Sequence, residues 1–156
     1  MSKAQISTFD FYAALMIATV LITLIIVSLN NYSVKLAQNQ DANEMLLESL
    51  QISDSFVKTF GNPTSWENDI ETLNYIGLAE YDRILSKDKV IQFANFSYNF
   101  TQKYIRIYDY YFRILDYNGT ELITQGLIFN GTNSVTIRRH VIYDDGKAIM
   151  ELTLWK

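Results

Sequence analysis

A chain of 156 residues without cysteine has neither a disulfide framework nor a thiolate metal site, so its folded part must rest on packing and sheet hydrogen bonds. The charge is mildly negative, 13 basic against 17 acidic side chains, with no basic block beyond Arg138-Arg139, which excludes nucleic acid as an expected partner. A mean hydropathy near zero averages an apolar end and a polar body and describes neither.

Residues 11–29 are apolar and uncharged, and a run of about 19 residues is long enough as a helix to cross a bilayer's hydrocarbon core. Lys3 and the terminal amine precede the run. Beyond it Lys35 is soon balanced by Asp41 and Glu44, so the positive-inside bias puts the short N-terminal stub in the cytoplasm and residues 30–156 outside. A removable secretory signal has a shorter apolar core and a small-x-small cleavage site after it, and Val27-Ser28-Leu29-Asn30-Asn31 offers none.

Ahead of the run stands Lys3-Ala4-Gln5-Ile6-Ser7-Thr8-Phe9-Asp10-Phe11. This stretch resembles the class III signal peptide of archaeal type IV pilin-like proteins, in which Lys or Arg and then Gly or Ala precede Gln-x-Ser-x-Glu-Phe. The resemblance implies cleavage between Ala4 and Gln5, with Lys3, Ala4 and Gln5 as the cleavage residues. It also implies that the apolar helix stays on the mature chain as anchor and assembly element. The family's acidic residue is fifth in the mature chain, whereas here Phe9 is fifth and Asp10 sixth, followed by Phe11. By the resemblance Asp10, flanked by Phe9 and Phe11, serves assembly by pairing with the α-amine of a neighbouring mature subunit. The alternative for Asp10 is a place at headgroup level, capping the first helical turn.

Neither Gly nor Pro occurs before Gly61-Asn62-Pro63, which predicts one helix from about residue 8 to residue 60, on the order of 75 Å long. Residues 38–44 are polar all round. Beyond them Leu46, Leu50, Val57 and Phe60 recur on one face, which predicts packing against a domain. The expected organisation is a leader at 1–4, a transmembrane and assembly half of the helix at 5–30, an amphipathic half at 31–60, and an extracellular domain at 61–156.

Between residues 61 and 96 the chain reads as a connecting region with short helices. Gly61-x-Pro63-x-x-Trp66, Ile76-Gly77-Leu78-Ala79 and Leu85-Ser86-x-x-Lys89 resemble a stretch recurring in archaeal pilin-like exoproteins, with no chemistry attached to it. Trp66 offers a large apolar face for a loop to pack with, and Ser86 is placed to cap a helix through about Ala94. From about Tyr104 to Leu115 the residues are β-branched and aromatic, and Asn118-Gly119 marks a hairpin turn before Glu121-Leu122-Ile123. A second hairpin joins residues 134–143 to 147–155 through Asp144-Asp145-Gly146, with Ala148, Met150, Leu152 and Leu154 on one face. The fold class that follows is α+β, a long helix packed on a small antiparallel sheet of about four strands.

Tyr98, Tyr104, Tyr108, Tyr110, Tyr111 and Tyr117 lie close together, and several are expected on the sheet face away from the helix, for subunit packing or for contact with a sugar ligand. Asn-x-Ser/Thr sequons at Asn95, Asn99, Asn118 and Asn130 are candidates for N-glycosylation; Asn31 lies too near the membrane, and Pro63 disqualifies Asn62. His140 is the single histidine and, with no Cys, has no nitrogen or sulfur partner for a metal. No phosphate loop or Gly-x-Ser-x-Gly elbow occurs, so neither enzyme activity nor a cofactor is expected. The resemblance implies a filament subunit at the cell surface. Its partners would be copies of itself through the N-terminal helices, a prepilin peptidase, the assembly machinery and, before assembly, the membrane. The alternative is a membrane-anchored extracellular binding module that never polymerises.

Overall fold

The computed structural model describes residues 3–105, 108–131 and 133–156, with side chains from residue 9 onward. The chain divides into two compact units, Met1–Asp41 and Ala42–Lys156, and the division falls inside the polar stretch 38–44. The first unit is helical throughout its described residues. Helix α1, Lys3–Lys58, continues into the second unit, where its last turns join an α+β domain. It starts five residues earlier than the sequence predicts and ends two earlier.

In the second unit the buried stripe of α1 is Met45, Ser49, Ser53, Phe56 and Val57, with Ile52 half-buried. The predicted stripe is therefore corrected: Val57 is in the core and Leu50 half-buried, but Leu46 and Phe60 are exposed. The physical reason is the two serines. Their hydroxyls donate back within the helix, Ser49 to the Met45 carbonyl and Ser53 to the Leu50 carbonyl at 3.0 Å, so these small side chains can be buried with their polarity satisfied.

After α1 come a 3-10 turn at Ile70–Thr72, strands β1 (Ala79–Tyr81) and β2 (Ile84–Leu85), and helices α2 (Lys87–Asn95) and α3 (Tyr98–Ile105). Strands β3 (Asp109–Asp116), β4 (Glu121–Gly126), β5 (Ser134–Tyr143) and β6 (Gly146–Trp155) follow. The sheet order is β1-β2-β5-β6-β3-β4, six strands among the described residues rather than about four, and mixed, because β2 runs parallel to β5 at Ile84↔Ile142. The four long strands are all antiparallel.

Period-2 alternation in β6 buries Ala148, Met150, Leu152 and Leu154 as predicted, beside Tyr110, Phe112 and Ile114 of β3. Rings from three elements meet edge-on at the centre: Phe56 of α1, Phe93 of α2 and Phe112 of β3 have centroids 5.1–5.7 Å apart. On the opposite face an ion-pair ladder crosses the strands. Arg113 binds Glu121 at 2.7 Å and Glu151 at 2.6 Å, and Glu151 also pairs with Arg138.

Three local expectations need correction. Tyr104 and Ile105 belong to α3, not to a strand; Thr101 and Ile105 are buried at helical spacing, and this packing overrides their β-propensity, while Arg106 and Ile107 lie outside the described residues. The turn of the second hairpin is Asp144-Asp145, both at positive φ (50° and 61°) as a type I′ turn requires, and Gly146 already pairs with Tyr143 in the ladder. Ser86 stands at the N-cap of α2, but its side chain makes no capping bond; its backbone N–H instead binds the Leu78 carbonyl at 2.8 Å.

Candidate functional site: an exposed apolar helix and its anchorage

Every described residue from 9 to 44 is exposed, and between residues 9 and 29 fourteen of these are large apolar side chains. At about 1.5–3 kcal/mol for each such side chain fully buried, the span leaves on the order of 20–40 kcal/mol of apolar burial unused within this chain. The helix is long and apolar enough to cross a membrane. Three of its hydroxyls are satisfied within the helix: Thr19 donates to the Met16 carbonyl and Thr23 to the Thr19 carbonyl, each at 2.8 Å, and Ser33 donates to the Leu29 carbonyl at 2.9 Å.

Asp10 is exposed between Phe9 and Phe11, which are 82% and 64% exposed. Because α1 begins at Lys3, Asp10 lies beyond the first turn and does not cap it. Lys3, Ala4 and Gln5 have helical backbones, and their side chains lie outside the described residues.

At its other end α1 is fastened by the motif residues 61–89, to which sequence attached no chemistry. A helix leaves its last carbonyls without partners. Here the Phe56 carbonyl accepts from the Leu78 N–H at 3.1 Å, Val57 from Arg83 at 2.8 Å and Thr59 from Ala79 at 3.1 Å. The Phe60 carbonyl accepts from the Lys89 ammonium at 2.9 Å. Lys89 is buried, its ammonium 5.6 Å above the Phe60 ring, and desolvation holds its pKa below the usual lysine value. The Trp66 indole, fully buried, donates to the Gly77 carbonyl at 2.9 Å. Gly61 (φ +82°) and Gly77 are glycines because a Cβ on Gly61 would lie 2.5 Å from the Trp66 ring, and one on Gly77 2.3 Å from the Gly61 nitrogen. The motif is thus a cap for α1, built mostly of backbone.

No family model, curated protein or solved structure matches the chain. Function is therefore read from the residues themselves.

The remaining candidates separate by burial. The tyrosines are mostly not available as a platform: Tyr110 is fully buried, Tyr108 is buried, Tyr98, Tyr104 and Tyr111 are half-buried, and Tyr117 stands out at 80% exposure. Tyr110 bonds the Thr101 hydroxyl, and burial pushes its pKa up to about 12. Asn95, Asn99, Asn118 and Asn130 are all exposed. Asn118 sits in the β3–β4 turn, where the Asp116 carboxylate accepts the N–H groups of Asn118 and Thr120 at 2.8 Å. In the Asn99 sequon Thr101 is fully buried and serves the core, whereas Thr132 of the Asn130 sequon lies outside the described residues. His140 is exposed on β5, and no cluster of metal-binding side chains occurs among the described residues.

Asp54 ties the last turns of α1 to β5. Its carboxylate binds Lys58 and Arg139, each at 2.7 Å, and the Lys58 bond, then the Arg139, Lys58 and Arg83 charges, outweigh desolvation and hold its pKa below the usual aspartate value. A carboxylate with a lowered folded pKa stabilises the fold above its unfolded pKa and loses that contribution as pH falls through the folded value. Urea titrations of the full chain at pH 7 and at pH 3 are expected to show a smaller acid loss for Asp54→Asn than for the parent; equal losses would remove Asp54 from the account.

Proposed function

We propose that the chain is a structural subunit of a type IV pilus-like surface filament of the archaeal kind. In this reading residues 1–4 are removed as a leader, and the N-terminal helices of many copies bundle into the filament's apolar core. The domain that follows is extracellular and carries its sequons, Asn95, Asn99, Asn118 and Asn130, toward water. The observation that carries the reading is a single helix, α1, bare and apolar at one end and capped into a folded domain at the other. Such an apolar surface must be covered by lipid or by copies of itself, and a filament subunit needs first one and then the other.

N-terminal peptide mass spectrometry on sheared extracellular material and on membranes tests it. A chain beginning at Gln5 in the sheared fraction is the expected result. A chain beginning at Met1 or Ser2 and confined to membranes would overturn it in favour of an anchored binding module.

A further inference from the structure

The last turn of α1 and β5 enclose a depression of about 210 Å³ whose charged lining is Asp54, Lys58, Arg83, Arg138 and Arg139. Arg83 and His140 also line a neighbouring, mostly apolar trough of about 390 Å³, along which lie Tyr117, Ile142, Lys147 and Ile149. The two form one groove. The depression lies where β5, before Ile142, has no strand partner on its outer side among the described residues, and the trough runs across the sheet from β5 over β6 to Tyr117 just past β3.

The charges in the groove are not balanced. Asp54 takes up Lys58 and Arg139, and Glu151 takes up Arg138 together with Arg113. Arg83 and Lys147 make no direct ion pair among the described residues, and Arg83 shares the field of Asp54 with Lys58 and Arg139. The Arg83 backbone is held in place, its N–H on the Val57 carbonyl and its own carbonyl accepting from the Ile142 N–H, both at 2.8 Å, while its side chain is exposed. Its φ is +62°, a conformation glycine adopts without the steric cost an arginine bears. The fold keeps a guanidinium at a backbone position that suits glycine.

We propose that this groove binds an acidic polysaccharide. A carboxylate or sulfate group of the polymer is taken by the Arg83 guanidinium, a planar fork matched to such oxyanions. An adjoining sugar ring lies on the exposed face of Tyr117 and the Ile142 and Ile149 side chains, and Lys147 meets a further acidic group of the repeat. Charge complementarity decides for an anionic ligand: in a chain of net charge −4, this is a surface where cations outnumber carboxylates beside an apolar floor. A lone acidic side chain of another protein would use Arg83 and leave the floor and Tyr117 idle, so the sugar polymer fits more of the groove.

The test is calorimetric titration of the full chain in detergent with oligogalacturonate, with sulfated heparin fragments, with neutral maltoheptaose and with poly-glutamate. One or both acidic sugars bind and the neutral one does not, with affinity falling as salt rises. Arg83→Gln and Arg83→Gly weaken acidic-sugar binding about tenfold or more, the second variant also relieving the backbone so that misfolding cannot explain the loss. Tyr117→Ala weakens acidic-sugar binding about fivefold and leaves poly-glutamate unaffected. Asp54→Asn, which frees Lys58 and Arg139, tightens it. The proposal is overturned if no acidic sugar binds, if Arg83→Gly leaves binding unchanged, or if poly-glutamate binds as tightly and Tyr117→Ala weakens neither. Filament formation is read separately by electron microscopy, so a parent chain that forms filaments and binds no acidic sugar counts against the groove alone.

Discussion

Trp66→Ala is expected to destabilise the domain by about 3–5 kcal/mol, the range for removing a large aromatic from a packed core. That is a large share of the roughly 5–15 kcal/mol that holds a domain of this size together. The effect should exceed the loss of ring volume alone, because the indole is fully buried against Gly61 and donates to the Gly77 carbonyl at 2.9 Å. Next to that carbonyl, Leu78 donates to the Phe56 carbonyl in the last turn of α1 and Ala79 to the Thr59 carbonyl just past it. Trp66→Phe keeps a ring but leaves the Gly77 carbonyl unpaired in the interior, an expected cost of about 1–3 kcal/mol. Leu46→Ala, on an exposed part of the same helix, should stay within about 0.5 kcal/mol of the parent. Urea unfolding followed at Trp155, the other tryptophan, measures all three. If Trp66→Ala unfolds at the same urea concentration as Leu46→Ala, the motif does not hold the helix end.

The elements that alternate cleanly were legible in the sequence. The last strand's Ala148, Met150, Leu152 and Leu154 form one buried row, and the long helix follows from the absence of Gly and Pro before Gly61. What escaped was carried by residues with no hydropathy signal or by the backbone. Ser49 and Ser53 look polar, yet they occupy the buried face of α1 because their hydroxyls are satisfied within the helix. Strands β1 and β2, three and two residues long, are too short to show a period, although they set the parallel pairing beside β5. The capping of α1 runs through N–H groups of Leu78, Ala79 and Arg83, which any residue but proline supplies. Arg138-Arg139 was visible as a basic pair, but on a strand the two point to opposite faces. Arg138 meets Glu151, while Arg139 meets Asp54 on α1, and Arg83 joins Arg139 only through the fold.

Asp10→Ala is expected to abolish filaments while leaving the chain in the membrane, and Asp10→Asn to do the same, since the proposed role needs a charge. A carboxylate costs about 2.5–3.5 kcal/mol at the centre of a spanning helix on insertion scales and less at the edge where Asp10 stands, so its removal does not weaken insertion and cannot explain lost filaments by lost anchoring. Nor can a lost helix cap, because the macrodipole acts within the first turn and α1 begins at Lys3. Removal of residues 1–4 would create a free α-amine at Gln5, and in a bundle of staggered helices that amine is the cation a buried Asp10 of a neighbouring copy would pair with. Ala13 and Ala14, one turn further along α1, are small enough to let a second helix approach there. Asp10→Glu retains the charge and should restore filaments in part. The readings are electron microscopy of sheared material beside immunoblots of the membrane fraction. Filaments of normal abundance from Asp10→Ala would end the pairing role of this residue, and loss of the chain from membranes would show that its part is in insertion instead.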